Sequence, residues 1–189
     1  AALNEALEAS EKKDKDSQDR IKDLGQRLNA ALARQVQELQ RYRSDFFGRL
    51  RELLKDRKDI RVVGDRFVFE SEVLFPSGSA TLTPEGLAAM DQLAIAISDL
   101  ARTIPPEIAW ALQVDGHTDI RPIASYQFPS NWELSTARAV SVVKYLVSRG
   151  VPAEHLVAAG HGEFQPLEKG VDEDSLRRNR RIELKLTNR

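Results

Sequence analysis

Ile108-Ala109-Trp110-Ala111-Leu112-Gln113-Val114 is a largely apolar run that leads into the polar Asp115-Gly116-His117-Thr118-Asp119. Eleven residues later, after Pro122 and Pro129, comes Ser130-Asn131-Trp132-Glu133-Leu134-Ser135-Thr136-Ala137-Arg138-Ala139. The first stretch predicts a strand that ends on a carboxylate. The second predicts a helix start, because Ser130 and Glu133 have the spacing of a capping box. That helix runs to about Arg149, where Gly150 and then Val151-Pro152 close it. Leu156-Val157-Ala158-Ala159-Gly160 reads as the next strand. Strand, helix and strand in this order predict a parallel pair joined by a right-handed crossover.

Working outward, Ile60–Val63 and Arg66–Glu70 flank Gly64-Asp65 and predict a tight hairpin. Phe75-Pro76-Ser77-Gly78-Ser79 is a loop. In Thr83-Pro84-Glu85 the threonine caps a helix, proline takes its first position and glutamate suits its positive end. This helix runs to about Arg102 and stops before Pro105-Pro106. Asp172–Arg178 suggests a short helical turn. Arg180–Leu186 alternates Ile182, Leu184 and Leu186 with Arg181, Glu183 and Lys185, a strand with one wet face. Residues 60–189 are therefore expected to form an α+β domain of β-α-β-α-β-β type, a mixed sheet with its helices on one face.

Residues 1–59 have another character. From Ile21 the residues Leu24, Leu28, Leu32, Val36, Leu39, Tyr42, Phe46, Leu50 and Leu53 recur near the ~3.6 step of a helix. This predicts a long amphipathic helix to about Arg57, a helical stalk, with Glu8–Arg20 a solvated start. Its stripe needs a partner, either the following domain or a second copy in a homodimer. Gln35 and Glu38 interrupt one heptad register, so self-association or docking fits better than a long regular coiled coil.

Composition excludes several classes. The 189 residues carry a formal net charge of -1, which gives no field for nucleic acid. Acidic residues flank the basic cluster Arg177–Arg181, so nucleic acid is not an expected partner. The absence of cysteine excludes thiolate metal sites, thiol nucleophiles and disulfides within these residues. His117, His155 and His161 have no HxxxH or HExxH spacing, so neither a metal nor another cofactor is expected.

The candidate site comes from joining the first two stretches. Thr136, Ala139, Val140, Val143, Leu146 and Val147 form the expected core face of the helix. Arg138 then points away from the core, on a face shared with Asn131, Leu134 and Ser135. Asp119 lies just past the preceding strand, where ligands commonly bind in α/β sheets. Arg138 can grip a carboxylate in a bidentate fork, and Asp119 can accept from an ammonium. Thr118 and Asn131 offer neutral hydrogen bonds. The spacing also allows a plain Asp119–Arg138 salt bridge with no ligand. His117 is expected to orient the loop by hydrogen bonding, and Trp132 to pack at the helix start rather than to serve as a sugar-stacking platform. Glu133 is accounted for as a cap, and no serine has a nucleophile-elbow context, so no catalytic residue is assigned.

Gly116-His117-Thr118-Asp119, the Pro129–Ala139 segment, Gly160-His161-Gly162-Glu163 with Pro166, and Asn179-Arg180-Arg181-Ile182-Glu183 occur in the order of the OmpA/MotB C-terminal peptidoglycan-binding family. The chain resembles that family over about residues 61–187. Its loop 120–130 looks closer to the MotB branch than to OmpA, whose loop is shorter. Phe75–Ala80 also resembles a family motif.

The resemblance implies non-catalytic binding of the diaminopimelate stem peptide, with Asp119 and Arg138 at the family's aspartate and arginine. Thr118 and Asn131 match neighbouring polar positions, and Arg178, in the terminal basic motif, is expected to reach the ligand. It further implies a periplasmic part of a MotB-like stator subunit tethered to the inner membrane. The alternatives are a general envelope tether of the OmpA or Pal kind and a cell-wall hydrolase. His161 stands where the family often has an aromatic residue. MotB proteins carry an upstream span with a proton-binding aspartate, which these residues do not contain. Partners of the MotA, TolQ or ExbB kind are expected only through such a span.

Overall fold

The structure is a computed structural model that describes residues 2–53 and 60–188. It divides into two compact units, one ending at Arg41 and the other beginning at Tyr42. Helix α1 (Ala2–Leu53) contributes to both, and its part in the first unit leaves Ile21, Leu24, Leu28, Leu32 and Val36 exposed. The expected helix end near Arg57 lies outside the described residues.

In the second unit a five-stranded sheet has the order β1-β2-β5-β3-β4. The strands are β1 (Ile60–Val63), β2 (Arg66–Glu70), β3 (Trp110–His117), β4 (Leu156–Gly160) and β5 (Arg181–Asn188). Gly64, at φ 61, turns the β1–β2 hairpin. β3 pairs in parallel with β4 and antiparallel with β5, so the sheet is mixed. The helices are α2 (Ser71–Leu74), α3 (Pro84–Thr103), α4 (Asn131–Ser148) and α5 (Glu173–Asn179). The hairpin, the two long helices and the α+β class match the sequence reading. Thr83 caps α3 by accepting from the Gly86 amide at 2.9 Å. The four-residue α2 is too short to show any hydrophobic period, and the sequence did not reveal it.

Residues paired across strands share a face. Phe67, Phe69, Leu112, Val114, Ile182, Leu184 and Leu186 line the face toward α4 and are buried. Phe46 and Phe47 from the end of α1 pack on Phe67, with Phe47 stacked at 4.8 Å. Gly116 and Gly160 are register partners and leave a flat spot on this face. The backbone of α4 at Ser135 and Thr136 sits on that spot, so close that a Cβ at Gly116 would lie 2.1 Å from the Ser135 carbonyl oxygen.

Around Arg181 and Glu183 the opposite face is charged but not wet, contrary to the alternation read in β5. Arg181 and Glu183 are 3% and 1% exposed. Glu183 accepts from Arg66 and Arg181, and Arg181 also donates to the Gln165 carbonyl. Pairing makes this burial tolerable, because each charge has a partner and a hydrogen bond. Asp115, also buried, lies against Lys185 and His161.

His117 is not the loop anchor that its position suggested. Its ring is buried, stacks on His161 at 4.7 Å, and neither nitrogen has a hydrogen-bond partner. Burial, reinforced by Arg181 and His161 against the pull of Glu183 and Asp115, lowers its pKa from 6.5 to about 3. The folded state therefore refuses a proton that the unfolded chain accepts. Its stability is full above pH 6.5 and falls as pH drops toward 3. Between pH 6 and 4.5 the loss should approach about 1.4 kcal/mol per pH unit. Urea unfolding across this window should show that slope in the wild type and lose it in His117→Phe. Equal slopes would remove His117 from the acid response.

Candidate functional site

The cleft is built mainly from three segments, with Arg180 added from the end of α5. The first is the end of β3 continuing through Thr118 and Asp119. The second is the start of α4, and the third is α2 with the loop after it. Asn131 fastens the first two together: its side-chain amide donates to the carbonyls of Asp119 (3.3 Å) and Arg121 (3.0 Å). Ser130 caps α4 by accepting from the Trp132 amide, and its hydroxyl donates to Glu133. The resulting cleft of about 320 Å³ is lined by Ser71, Glu72, Phe75, Thr118, Asp119, Arg121, Asn131, Leu134, Arg138 and Arg180, among others.

Arg138 lies on the buried face of α4, not away from the core as its phasing suggested. The buried residues are Asn131, Leu134, Ser135, Arg138, Ala139, Val142 and Leu146, while Thr136 and Val147 are exposed. The guanidinium is 5% exposed as a residue and sits over the Phe75 ring at 5.2 Å. Its Nε donates to the Ser79 carbonyl (2.8 Å), Nη1 to Ser71 Oγ (2.9 Å) and Nη2 to the Pro76 carbonyl (3.2 Å). A guanidinium has five N–H donors, so both terminal nitrogens keep one to spare. No carboxylate among the described residues forms an ion pair with it. The plain Asp119–Arg138 salt bridge that the spacing allowed is not formed. Burial and the nearby Arg180, only partly opposed by Asp119 and Glu72, lower its pKa to about 10, so it remains charged at neutral pH.

Asp119 is the opposite case. It accepts from the Arg121 amide (2.9 Å), the Arg121 side chain (2.8 and 3.0 Å) and Arg180. Burial alone would raise its pKa, but these donors hold it below the usual carboxylate range. Arg180 is itself clamped by Glu72 and Glu173, which outweigh its burial and raise its pKa. Thr118 donates its amide to the Gly162 carbonyl at 2.9 Å, and its buried hydroxyl has no partner.

Thr118, Asp119, Asn131 and Arg138 are thus brought together, and Arg178 is not. Arg178 pairs with Glu168 and does not line the cleft. Two positions later Arg180, at the end of α5, turns into it. Arg121, Arg180, Ser71 and Glu72 were missed as site residues. Arg121 and Arg180 carried a signal only in their charge and closeness to named motifs, and Ser71 and Glu72 carried none. Three arginines face two carboxylates across the lining, and the unpaired charge is Arg138's. A larger hollow of about 380 Å³ lies between α3 and α4, but its charges are paired, Asp91 with Arg149 and Asp99 with Arg102.

Fold and cleft together define an α+β domain with a buried cation and an ionised carboxylate beside the end of β3. A family model, that of the OmpA family, matches residues 74–180, and the chain belongs to this family. It is 36% identical over 118 residues to the uncharacterized protein YtxE of Bacillus subtilis, covering 62% of this chain and 46% of the relative. The chain spans less than half the length of that relative and of the related outer membrane protein A of Escherichia fergusonii. Among solved structures it is similar to a putative MotB like protein from Desulfovibrio vulgaris, with a TM-score of 0.64 and 26% identity over 82% of this chain and 99% of that one. It is also similar to the cell wall anchor of the T6SS from Pseudomonas aeruginosa, with a TM-score of 0.60 and 31% identity over 75% and 98%.

Proposed function

We propose that the domain binds the diaminopimelate stem peptide of peptidoglycan without catalysis and so anchors an envelope complex to the cell wall. The observation that carries this reading is the buried Arg138 with no carboxylate partner and two unused N–H groups. Burying a charge in this way costs free energy that an incoming carboxylate offsets. The side-chain end of diaminopimelate carries a carboxylate and an ammonium on one carbon. Arg138 receives the carboxylate, the Thr118 hydroxyl supplies a further hydrogen bond, and Asp119 accepts from the ammonium. Arg121, whose side chain is 54% exposed, is the group that must move aside for the ammonium. Asn131 acts mainly by fixing the loop.

A binding role also suits the chemistry. Asp119 is held ionised by two arginines, Glu72 is paired with Arg180, and Glu133 is an exposed helix-start residue, which leaves no protonated carboxyl poised as the acid of a hydrolase. The reading extends to a periplasmic location and to a MotB-like stator subunit in the longer protein. The second reading, a general tether, is favoured by the likeness to the T6SS cell wall anchor. No helix among the described residues is long and apolar enough to cross a membrane, so a MotA-, TolQ- or ExbB-like partner would be met through another segment.

Sedimentation with purified sacculi tests the site. The protein should co-sediment with diaminopimelate-type wall at least about tenfold more strongly than with lysine-type wall, which lacks the terminal carboxylate. Asp119→Ala should lose this binding while remaining folded. Equal retention on both walls, or by the variant, would overturn the assignment.

We further propose that the exposed stripe Ile21, Leu24, Leu28, Leu32 and Val36 makes a homodimer. Analytical ultracentrifugation should show a dimer that becomes monomeric in the double variant Leu24→Glu, Leu28→Glu. A monomeric wild type at tens of micromolar would end this idea.

A further inference from the structure

Outside the cleft, Trp132 and Phe164 form a stacked pair with ring centroids 5.2 Å apart and planes at 24°. They are 48% and 62% exposed. Trp132 packs at the helix start, as its position suggested, but on Phe164 at the surface, with much of its ring left exposed. Two large aromatic rings left half in water forgo burial that most rings obtain.

The pair is firmly mounted. Phe164 follows Gly162, which has φ 54. A Cβ at Gly162 would lie 3.4 Å from Phe164 Cδ2 and 3.7 Å from the carbonyl carbon of Asn131, so the ring lies close to the first residue of α4. Gly162 is bonded on both sides: its amide donates to Ser135 Oγ at 3.0 Å, and its carbonyl accepts from the Thr118 amide at 2.9 Å. Asn131 lines the cleft, and Trp132 is the next residue, about 3.8 Å away between Cα atoms. The aromatic pair is therefore mounted beside a cleft-lining residue, on the same supports as Thr118 and Asn131. The exposed carboxylate of Glu133 stands beside it.

We propose that Trp132 and Phe164 form a stacking platform for an amino sugar of the glycan strand, the sugar to which the stem peptide in the cleft is joined. This inference rests on the stem-peptide reading above. The electron-rich ring faces suit the C–H face of a pyranose, and polar groups at the rim suit its hydroxyls. Because the two rings stack on each other, the surface they offer is an outer ring face, which suits the face of a single sugar. Two residues separate diaminopimelate from the sugar's lactyl arm, a span on the order of 10 Å when extended.

The test compares a disaccharide–tetrapeptide containing diaminopimelate with the same tetrapeptide lacking the sugars, both titrated calorimetrically into the whole chain. The sugar-bearing ligand should bind about five- to tenfold more tightly, the effect of about 1–1.4 kcal/mol of added contact. In Trp132→Ala and in Phe164→Ala the two ligands should bind equally, at the wild-type affinity for the bare peptide. Trp132→Phe should keep most of the difference. The chain has two tryptophans and Trp110 is 2% exposed, so a fluorescence change with the sugar-bearing ligand alone should report Trp132. Equal binding of the two ligands by the wild type would overturn the platform, as would a Trp132→Ala variant that keeps the sugar preference. Binding of the sugar-bearing ligand without any binding of bare peptide would support the platform and overturn the cleft assignment. Failure of both ligands would overturn both.

Discussion

Arg138→Lys and Arg138→Met are each expected to weaken binding of a diaminopimelate tetrapeptide by about 30- to 1000-fold, the effect of about 2–4 kcal/mol for one desolvated, charge-assisted partner. Lysine keeps the charge but not the planar fork, and its ammonium is more strongly hydrated. It cannot satisfy the Ser79 and Pro76 carbonyls and still present two parallel donors to a ligand. Methionine removes the charge altogether. Its effect on the fold should be small because two terms oppose each other. Three hydrogen bonds are lost, at about 1 kcal/mol each, while the cost of a buried charge without an anionic partner disappears. The net change in unfolding free energy should stay within about 2 kcal/mol. Calorimetry with the tetrapeptide and urea denaturation measure the two quantities. Wild-type affinity in Arg138→Met would remove this side chain from recognition.

Gly116→Ala is expected to destabilise the domain by about 3 kcal/mol or more, at the severe end of overpacking. The added methyl would stand 2.1 Å from the Ser135 carbonyl oxygen and 2.9 Å from its carbon. Both are backbone atoms, so no side-chain rotation relieves the clash. The first turns of α4 must lift from the sheet, which separates Arg138 on the helix from Asp119 past the strand. Tetrapeptide binding should fall in the fraction that remains folded. Gly25→Ala is the control: nothing lies within 4 Å of its Cβ position, and alanine should favour the helix by about 1 kcal/mol. Unfolding of Gly116→Ala at the wild-type urea midpoint would mean that α4 does not need this contact.

Local chemistry made most elements readable. Gly64 in the hairpin, Thr83-Pro84 at the start of α3, Ser130 before α4 and Gly150 after it, at φ 91, all act through their own neighbours. The rotation of α4 was misread because a hydrophobicity rule assigns its valines to the core. Four of its seven buried residues are instead Asn131, Ser135, Arg138 and the small Ala139. Polar residues displace apolar ones there because that stretch of helix builds the cleft. The same cause hid the charged face of β5, where ion pairing replaces solvent around Arg181 and Glu183. The choice between Arg178 and Arg180 turned on where α5 ends, a matter of one or two residues that pattern does not fix. Asp119, Thr118, Asn131 and Arg138 were legible as a set, yet their division of labour was not. It depends on Arg121 and Arg180 covering the carboxylate while loop carbonyls hold the arginine.

That last arrangement has an evolutionary edge. Two of the three groups that hold Arg138 are main-chain oxygens, so drift in the side chains at Pro76 and Ser79 leaves its grip intact as long as the turn persists. Asp119 has one main-chain donor, the Arg121 amide, and is otherwise held by side chains from the strand-end loop and α5, with Glu72 steadying Arg180, so a single exchange at any of these alters its surroundings. Related chains are expected to keep a constant carboxylate end and to diverge at the ammonium end. Adaptation to a different wall chemistry would then begin around Asp119.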